Sequence, residues 1–267
     1  MVDPSRGVLY PARLPTFTRL GPPPRAAELV VWFWIPEWDI APGRSSRQEV
    51  VSFPASNLVV EPDGVVLSGP TTRISHRDLS GTGWAVGTLL RPAAVAALTD
   101  DPGAHRDSYT PVDAPDLHAA VCAAMVGSAA SARHATAVEV FSDWLVERVG
   151  EPTPDARLAG AMAELLMTDS SVVRLADAAA ALCVSQRTLQ RLARRYVGLS
   201  PAAMIRRRRL QEAAQLIRDY PHADLSAIAA DLGYSDHAHL TKDFAAVLAF
   251  TPSVYRATVR PNENSFR

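Results

Sequence analysis

Residues 175–201, with the sequence LADAAAALCVSQRTLQRLARRYVGLSP, determine the fold class of the C-terminal third of the chain. The Ala-rich run Leu175–Leu182 predicts a short helix, and Cys183-Val184 predicts a tight turn. Ser185 has the position and the chemistry of an N-cap for a second helix over Gln186–Tyr196. A short helix, a tight turn and a second helix form the pattern of a helix-turn-helix motif.

The second helix of this motif has one apolar and one polar face. Leu189 and Leu192 fall on the inward side. The outward side carries five polar residues: Gln186, Arg187, Gln190, Arg191 and Arg194. Arg forks onto guanine and Gln onto adenine in the major groove of DNA, so this face is a candidate reading surface for a duplex.

A second copy of the motif follows along the chain. Asp224–Leu232 predicts the first helix, Gly233-Tyr234 the turn, Ser235 the N-cap and Asp236–Leu248 the second helix. The residues that this helix leaves outward or near its start are His237, His239, Thr241 and Lys242. The two histidines are two residues apart and so point to different sides of a helix, with no accompanying ligand set, so we expect no metal site there.

The two copies superimpose with an offset of 51 residues, which aligns Leu189 with Leu240 and Ser200-Pro201 with Thr251-Pro252. A single helix-turn-helix pattern has many false positives, but two at a fixed offset are far more specific. Residues 202–219 between them predict one helix of roughly 27 Å. That length is compatible with the distance of about 34 Å between successive major-groove faces.

The charge of the chain is distributed unevenly. The formal net charge is −1, which alone would argue against a nucleic-acid partner. The segment from Arg174 to Arg260, however, carries 13 basic and 7 acidic residues, whereas the remainder carries 14 basic and 21 acidic ones. The C-terminal third is therefore a basic module on an acidic body, which favours nucleic acid as its partner.

Five phrases of this segment are similar to a known family. They are Ser185-Gln-Arg-Thr-Leu-Gln-Arg-Leu, Gly198-Leu-Ser-Pro, Arg209-Leu-Gln-Glu-Ala, Ile228-Ala-Ala-Asp-Leu-Gly-Tyr-Ser-Asp-His-Ala-His-Leu and Thr251-Pro-Ser-Val-Tyr-Arg. With them, residues 172–258 resemble the DNA-binding domain of the AraC/XylS family of bacterial transcription regulators. The resemblance covers about a third of the chain, and it departs from the family at Cys183, Ala193, Leu240 and Ala249.

The resemblance implies a sequence-specific activator or repressor that binds promoter or operator DNA. In the family, the positions that match Arg187, Gln190 and Arg191 face the bases, and His237, His239, Thr241 and Lys242 are their counterparts in the second helix. Arg194, Arg195 and Lys242 are further candidates for phosphate contacts. Because His and Ala offer fewer bidentate contacts, we expect the first helix to carry more of the specificity.

The N-terminal part has the short period of strands. Apolar runs of strand length are separated by Pro- and Gly-rich turns, and they lie at Leu29–Ile35, Glu49–Phe53, Asn57–Val60, Val65–Ser68 and Trp84–Leu90. Prolines punctuate the first 30 residues, which predicts neither helix nor strand there. A helix is expected over Pro92–Leu98. Short strands at this spacing predict a small antiparallel barrel or sandwich.

Ala-rich helical segments connect the two parts, at Leu117–Val126, Ala132–Val149 and Asp155–Met167. The predicted architecture is thus an α+β multidomain chain. It has an N-terminal antiparallel β-barrel or sandwich-like domain (1–113), a helical linker (114–170), an all-α domain with two helix-turn-helix motifs (171–260) and a tail (261–267). The apolar stripe of Val138, Phe141, Leu145 and Val149 is explained either by intramolecular packing, which we favour, or by a dimer seam.

The N-terminal part also resembles a β-rich domain that is often fused ahead of this type of DNA-binding domain. By analogy with the family it is an effector-binding or dimerising domain. Candidate effector-binding residues are Trp32, Trp34, Arg73, His76, Trp84 and Arg91. The tryptophans either line an apolar ligand pocket or are simply part of the core. The cationic residues are candidate anchors for an anionic effector.

Other features exclude several classes of function. Apolar runs fall short of the roughly 18 residues of a membrane span, and no secretory signal is recognisable at the start, so no membrane partner is expected. Two cysteines suit a reducing compartment, and we expect a cytoplasmic protein. Nucleophile elbows, phosphate loops and zincin motifs are missing from the sequence, so we expect neither an enzyme nor a cofactor.

Several alternatives stay open. Arg206-Arg207-Arg208-Arg209 is either a solvated helix face with one structural ion pair, which we favour, or a phosphate contact. RNA polymerase, a small-molecule effector and a second copy of the chain are candidate partners. The competing function is an effector- or partner-binding protein whose helical domain no longer binds DNA.

Overall fold

A computed structural model describes residues 16–50, 53–127 and 129–259. Its N-terminal part consists of antiparallel strands: β1 Thr16–Leu20, β2 Val30–Asp39, β3 Ser46–Val50, β4 Asn57–Glu61, β5 Gly64–Ser68, β6 Ser75–Leu79, β7 Thr82–Trp84, β8 Val86–Leu90 and β9 Tyr109–Pro111. The predicted antiparallel β-rich domain is therefore confirmed. The prolines at positions 4, 11 and 15 and the predicted tail at 261–267 lie outside the described residues.

Seven of these strands form one sheet. Its order is β1-β2-β8-β4-β5-β9, with β7 also paired to β2, while β3 and β6 form a separate two-stranded sheet. β4 and β5 are joined by a two-residue turn, because Glu61 pairs with Gly64 across Pro62-Asp63. The Pro- and Gly-containing turn predicted between the apolar runs Asn57–Val60 and Val65–Ser68 is thus confirmed.

The strands differ from the sequence-based prediction in several places. β1 lies in the region where prolines were expected to prevent a strand, but it is an edge strand of five proline-free residues, a position that tolerates flanking prolines. β6 and β9 were missed because their sequences show no apolar alternation. The run Trp84–Leu90 divides into β7 and β8, and the strand predicted over Glu49–Phe53 begins earlier, at Ser46. Residues 51 and 52 of that prediction lie outside the described residues.

The remainder of the chain is helical. The helices are α1 Pro92–Leu98, α2 Pro115–Ala124, α3 Ala130–Val149, α4 Pro154–Thr168, α5 Leu175–Ala181, α6 Gln186–Tyr196, α7 Pro201–Asp219, α8 Leu225–Asp231, α9 His237–Leu248 and α10 Pro252–Val259. A 3₁₀ turn, Pro102–His105, precedes β9. The two helix-turn-helix pairs are α5–α6 and α8–α9, and α7 joins them as expected.

One predicted N-cap is wrong. Ser235 was expected to cap the second helix of the second motif, but that helix begins at His237 and is capped by Asp236, whose side chain accepts from the His239 amide at 2.7 Å. The 51-residue offset explains the correction, because it aligns Asp236 and not Ser235 with the N-cap Ser185. The second turn is therefore one residue longer than the first.

The buried apolar residues form two cores. The first is continuous from the sheet through α1–α4 to α5, α6 and the start of α7, ending at Ile205. Within it, the rings of Phe33 in β2 and Phe141 in α3 pack edge to face at 5.5 Å. The second core begins at Leu210 and contains α8–α10. The first helix-turn-helix thus shares its core with the N-terminal domain, whereas the second has a core of its own.

The apolar stripe on α3 packs within the molecule. Val138, Phe141 and Leu145 are buried in the first core and Val149 is partly buried against it, which agrees with the favoured interpretation. Among the described helices, none is long and apolar enough to span a bilayer.

Candidate nucleic-acid interface

The first recognition helix, α6, is oriented by its apolar residues. Ser185 caps it by accepting from the Thr188 amide at 3.0 Å, and Leu189 and Leu192 are completely buried. Burial of this face leaves the opposite one in solvent. The five predicted reading residues are all exposed: Gln186, Arg187, Gln190, Arg191 and Arg194.

An open cleft of about 690 Å³ runs along this exposed face. Its lining includes Arg187, Gln190, Arg191 and Arg194, together with the turn Gly198–Pro201 that leads into α7. It also includes Arg106, from the N-terminal domain. No sequence pattern pointed to Arg106, because its proximity to α6 is a tertiary contact over 92 residues of chain.

Arg106 is held against the end of α6 by a close backbone approach. Its Nη2 donates to the Gly198 carbonyl at 2.8 Å. Gly198 has φ +82°, and a Cβ at this position would lie 2.6 Å from the carbonyl carbon of Pro102. Only glycine permits this contact, which brings the turn Pro102–His105 directly onto the α6–α7 turn.

Arg191 is the one reading residue with a carboxylate partner among the described residues. Its Nη1 donates to Oδ2 of Asp155, at the start of α4, at 2.9 Å. This hydrogen bond lowers the pKa of Asp155 and raises the pKa of Arg191. Both side chains are about half exposed, so the pair is open to competition from solvent ions or another anion.

The second recognition helix, α9, presents a more constrained set of side chains. His239 is exposed, but its Nδ1 lies 3.2 Å from Ser235 Oγ and its ring packs edge to face on Tyr234. His237 Nε2 lies 3.3 Å from Thr241 Oγ1. Lys242 is exposed. Internal partners thus occupy polar atoms of both histidines, whereas among the five reading residues of α6 the partner described above is that of Arg191.

The four-arginine run of α7 is structural. Arg206 pairs with Asp243 of α9 at 2.7 Å, and Arg209 stacks on the Tyr234 ring at 3.7 Å. Arg207 and Arg208 are 3% and 1% exposed, so the favoured interpretation of a solvated face is wrong for these two. Successive residues on a helix point about 100° apart, and two of the four therefore have to face the interior.

The two buried arginines tie α7 to other parts of the molecule. Arg207 donates to the Thr71 hydroxyl and to the Arg73 carbonyl, both at 2.9 Å. Burial lowers its pKa to about 10, so it stays charged at neutral pH. Arg208 donates to the carbonyls of three residues at and beyond the end of α4: Leu166, Asp169 and Val172.

The six candidate effector residues do not form one cluster. Trp32 is buried with its ring 4.7 Å from that of Phe53, and Trp34 donates from Nε1 to Asn57 at 3.0 Å. Trp84 pairs with Glu37 across strands and therefore lies on the opposite face of the sheet from Trp34. Arg73, just before β6, and His76, within β6, are both exposed.

Arg91 is placed differently from the other five. Its Nη1 donates to Glu164 of α4 at 2.9 Å, and it lines a cavity between β8, α4 and the end of α6. The cavity has a volume of about 20 Å³, which is room for about one water molecule.

Two family models match the chain. Residues 178–258 match a family described as a helix-turn-helix domain, and residues 18–107 match a domain of unknown function, DUF6597. An uncharacterized HTH-type transcriptional regulator of Haemophilus influenzae is 30% identical over 105 residues, which are 39% of this chain and 35% of that protein. The regulatory protein PocR of Salmonella typhimurium is 31% identical over 117 residues, 43% of this chain and 37% of that protein. The chain thus spans a little over a third of the length of these curated relatives.

A crystal structure of ToxT from Vibrio cholerae, bound to (E)-4-(8-methylnaphthalen-1-yl)but-3-enoic acid, is 12% identical with a TM-score of 0.44, covering 92% of this chain and 100% of that one. The matched helix-turn-helix segment coincides with α5–α10 and with the 51-residue repeat. Residues 178–258 are thus similar to a helix-turn-helix domain family, in the same segment whose residues resemble the DNA-binding domain of the AraC/XylS family.

Proposed function

We propose that this protein is a sequence-specific DNA-binding transcription regulator that reads two adjacent major grooves with α6 and α9. The observation that carries the proposal is the repeated unit itself. In both copies an N-capped helix buries its apolar face and exposes its polar one. Both copies lie on the basic segment of an otherwise acidic chain.

The spacing between the two helices supports binding to successive grooves. α7 has 19 residues, which corresponds to about 28 Å of helix. Successive major-groove faces on one side of B-DNA are about 34 Å apart. Because Arg207 and Arg208 anchor α7 to the N-terminal domain and to the end of α4, the spacer is held in place at its middle.

The proposal assigns the greater share of base reading to α6. Arg187 and Gln190 are exposed and have the forked geometries that suit guanine and adenine. In α9, His237 and His239 already contact Thr241 and Ser235. Lys242 is better suited to a phosphate, because its ammonium is a point charge without a fork.

A mobility-shift titration tests this function on the fragment upstream of the protein's own gene. In the variant Gln190→Ala, Arg191→Ala, we expect the preference over a scrambled duplex to fall by about 1–3 kcal/mol for each lost bidentate contact. Arg44→Ala, in the exposed turn before β3, is the control and retains the preference. If the wild-type protein binds no duplex at low salt, the alternative function without DNA binding replaces this one.

We also propose that the N-terminal domain conveys a signal to the DNA-binding part. Its contacts with both motifs support this role. Arg106 bonds to the end of α6, and the Ile74 amide donates to the Val247 carbonyl near the end of α9 at 2.8 Å. An effector, a second copy of the chain and RNA polymerase are its candidate partners. Light scattering with and without operator DNA measures the molar mass and so tests the dimer. A dimer requires a protein mass twice that of one chain.

A further inference from the structure

We propose that Arg106, in the N-terminal domain, binds a backbone phosphate of the same DNA that α6 reads. The DNA interface then extends from the helix-turn-helix domain onto the turn at Pro102–Arg106. This inference rests on the proposed function and assigns it a residue outside the matched helix-turn-helix segment, residues 178–258.

Arg106 lies beside the face of α6 that is proposed to read DNA. It lines the cleft that also contains Arg187, Gln190, Arg191 and Arg194. Its bond to the Gly198 carbonyl fixes the guanidinium at the C-terminal end of α6. In a helix-turn-helix, the N-terminal residues of the recognition helix contact base edges. A cation beyond the other end of the helix therefore meets the sugar–phosphate backbone and not the bases.

Arg106 also has N–H donors available for a ligand. Among the described residues no carboxylate is paired with it, although two aspartates flank the turn. Asp101 accepts from the Gly103 amide at 3.0 Å, and Asp107 accepts from the amide and hydroxyl of Thr72, both at 2.6 Å. Guanidinium has five N–H donors, and the bond to Gly198 uses one of them. The others remain for a ligand with several acceptor oxygens.

The cleft carries positive charge that nearby carboxylates of the described residues compensate only in part. Four arginines line it, and Asp155 is the one carboxylate paired with any of them within the described residues. A groove lined by one sign of charge concentrates counter-ions of the opposite sign. A row of phosphates suits such a site better than a single carboxylate side chain does. Duplex DNA supplies this row, with one negative charge per about 1.7 Å of its axis.

The test measures affinity by fluorescence anisotropy for a specific and a scrambled duplex at salt concentrations from about 50 to 200 mM. Arg106→Gln in the full chain retains an N–H donor for Gly198 but loses the charge. We expect the slope of log K against log salt to become shallower by about 0.9, equivalent to about a 3.5-fold smaller loss of affinity across this range. The affinity for both duplexes falls by the same factor, because a phosphate contact carries no sequence information.

Two matched variants sharpen the result. Arg44→Gln removes an arginine in an exposed turn that is not part of the cleft and leaves the slope unchanged. Ala104→Lys adds a charge at an exposed position of the Arg106 turn, with the Gly198 bond intact, and steepens the slope. This gain is measurable even if Arg106→Gln does not fold.

Several results overturn the proposal. One is an unchanged slope in Arg106→Gln, whether or not its melting temperature falls, because Arg106 is then at most a tie between the domains. Another is an Ala104→Lys slope equal to that of the wild type. Absence of binding by the wild-type protein overturns the proposed function and this inference together, whereas wild-type binding with unaltered variants overturns this inference alone.

Discussion

Asp155 of α4 and Arg191 of α6 are joined by a hydrogen bond of 2.9 Å between Oδ2 and Nη1. Arg191 is a predicted base-reading residue, and its guanidinium is hydrogen-bonded to the linker helix α4. The Asp155 carboxylate thus occupies a donor of the guanidinium that a base edge or a phosphate would also use. We therefore expect Asp155 of this helix to compete with DNA for the Arg191 side chain.

The first prediction follows from that competition. Asp155→Asn removes the carboxylate, so Arg191 becomes free for DNA and the affinity for a specific duplex rises. The increase is a fewfold at most, since both partners are about half exposed and the pair is screened. Asp143→Asn, which breaks a similar exposed pair with Arg25 at 2.6 Å on α3, is the matched control in the anisotropy titration. A weaker Asp155→Asn complex would show that the pair positions Arg191 and does not compete.

Arg207 is predicted to stabilise the junction between α7 and the N-terminal domain. Arg207→Met preserves much of the buried volume but leaves the Thr71 hydroxyl and the Arg73 carbonyl without this donor. We expect a loss of about 1–3 kcal/mol in the free energy of unfolding by urea. Arg44→Met, at an exposed position, should stay within about 0.5 kcal/mol of the wild type. Equal effects of the two variants would refute a structural role for the Arg207 contacts.

Ala249 has a backbone conformation that alanine rarely adopts. It ends α9 with φ +64°, at the position that corresponds to Gly198 with φ +82°. Ala249→Gly should therefore raise the free energy of unfolding by about 1 kcal/mol. Ala246→Gly, at an exposed position inside α9, should instead lower it by about 1 kcal/mol. A loss of stability in both variants would contradict the assignment of strain to Ala249.

Glu37 of β2 is predicted to make stability depend on acid pH. Partial burial acts to raise its pKa, but hydrogen bonds from Arg133 and from His134, the latter at 2.5 Å, outweigh it and lower the pKa. The ionised carboxylate therefore stabilises the folded state above the ordinary pKa of 4.5, and this contribution is lost as pH falls through the lowered pKa.

The variant Glu37→Gln checks this dependence. We expect it to be less stable by about 1–3 kcal/mol at neutral pH and to approach the wild type in acid. Unfolding midpoints measured from about pH 7 downward report both effects. Glu28→Gln, which alters an exposed pair with Arg157, should run parallel to the wild type throughout. A constant difference between Glu37→Gln and wild type at every pH would contradict the lowered pKa.

Local sequence signals predicted the helices of the C-terminal domain because those helices depend on local chemistry. Ser185 caps α6 as expected, and the spacing of Leu189 and Leu192 correctly identifies the buried face. The incorrect cap at Ser235 arose where two neighbouring residues, Ser235 and Asp236, both have capping side chains. Only the register of the repeat distinguishes them.

Features that depend on tertiary contacts could not be read from the sequence. The spacing of the arginine run does not reveal that Arg207 faces Thr71, 136 residues earlier in the chain. Arg106 carries no motif, and its position beside α6 follows from the close approach of Pro102 to Gly198. The polar strand β6 forms because β3 supplies its backbone partners, and not because of its own side-chain pattern.

The central claim is that two helices of one chain read two grooves, and selection from a random pool of duplexes tests it most directly. The wild-type protein should enrich two half-motifs centred about 10–10.5 base pairs apart. Gln190→Ala, Arg191→Ala should lose one half-motif and keep the other, and His237→Ala, His239→Ala should do the reverse. Enrichment of no motif, or of both halves by both variants, would contradict the account.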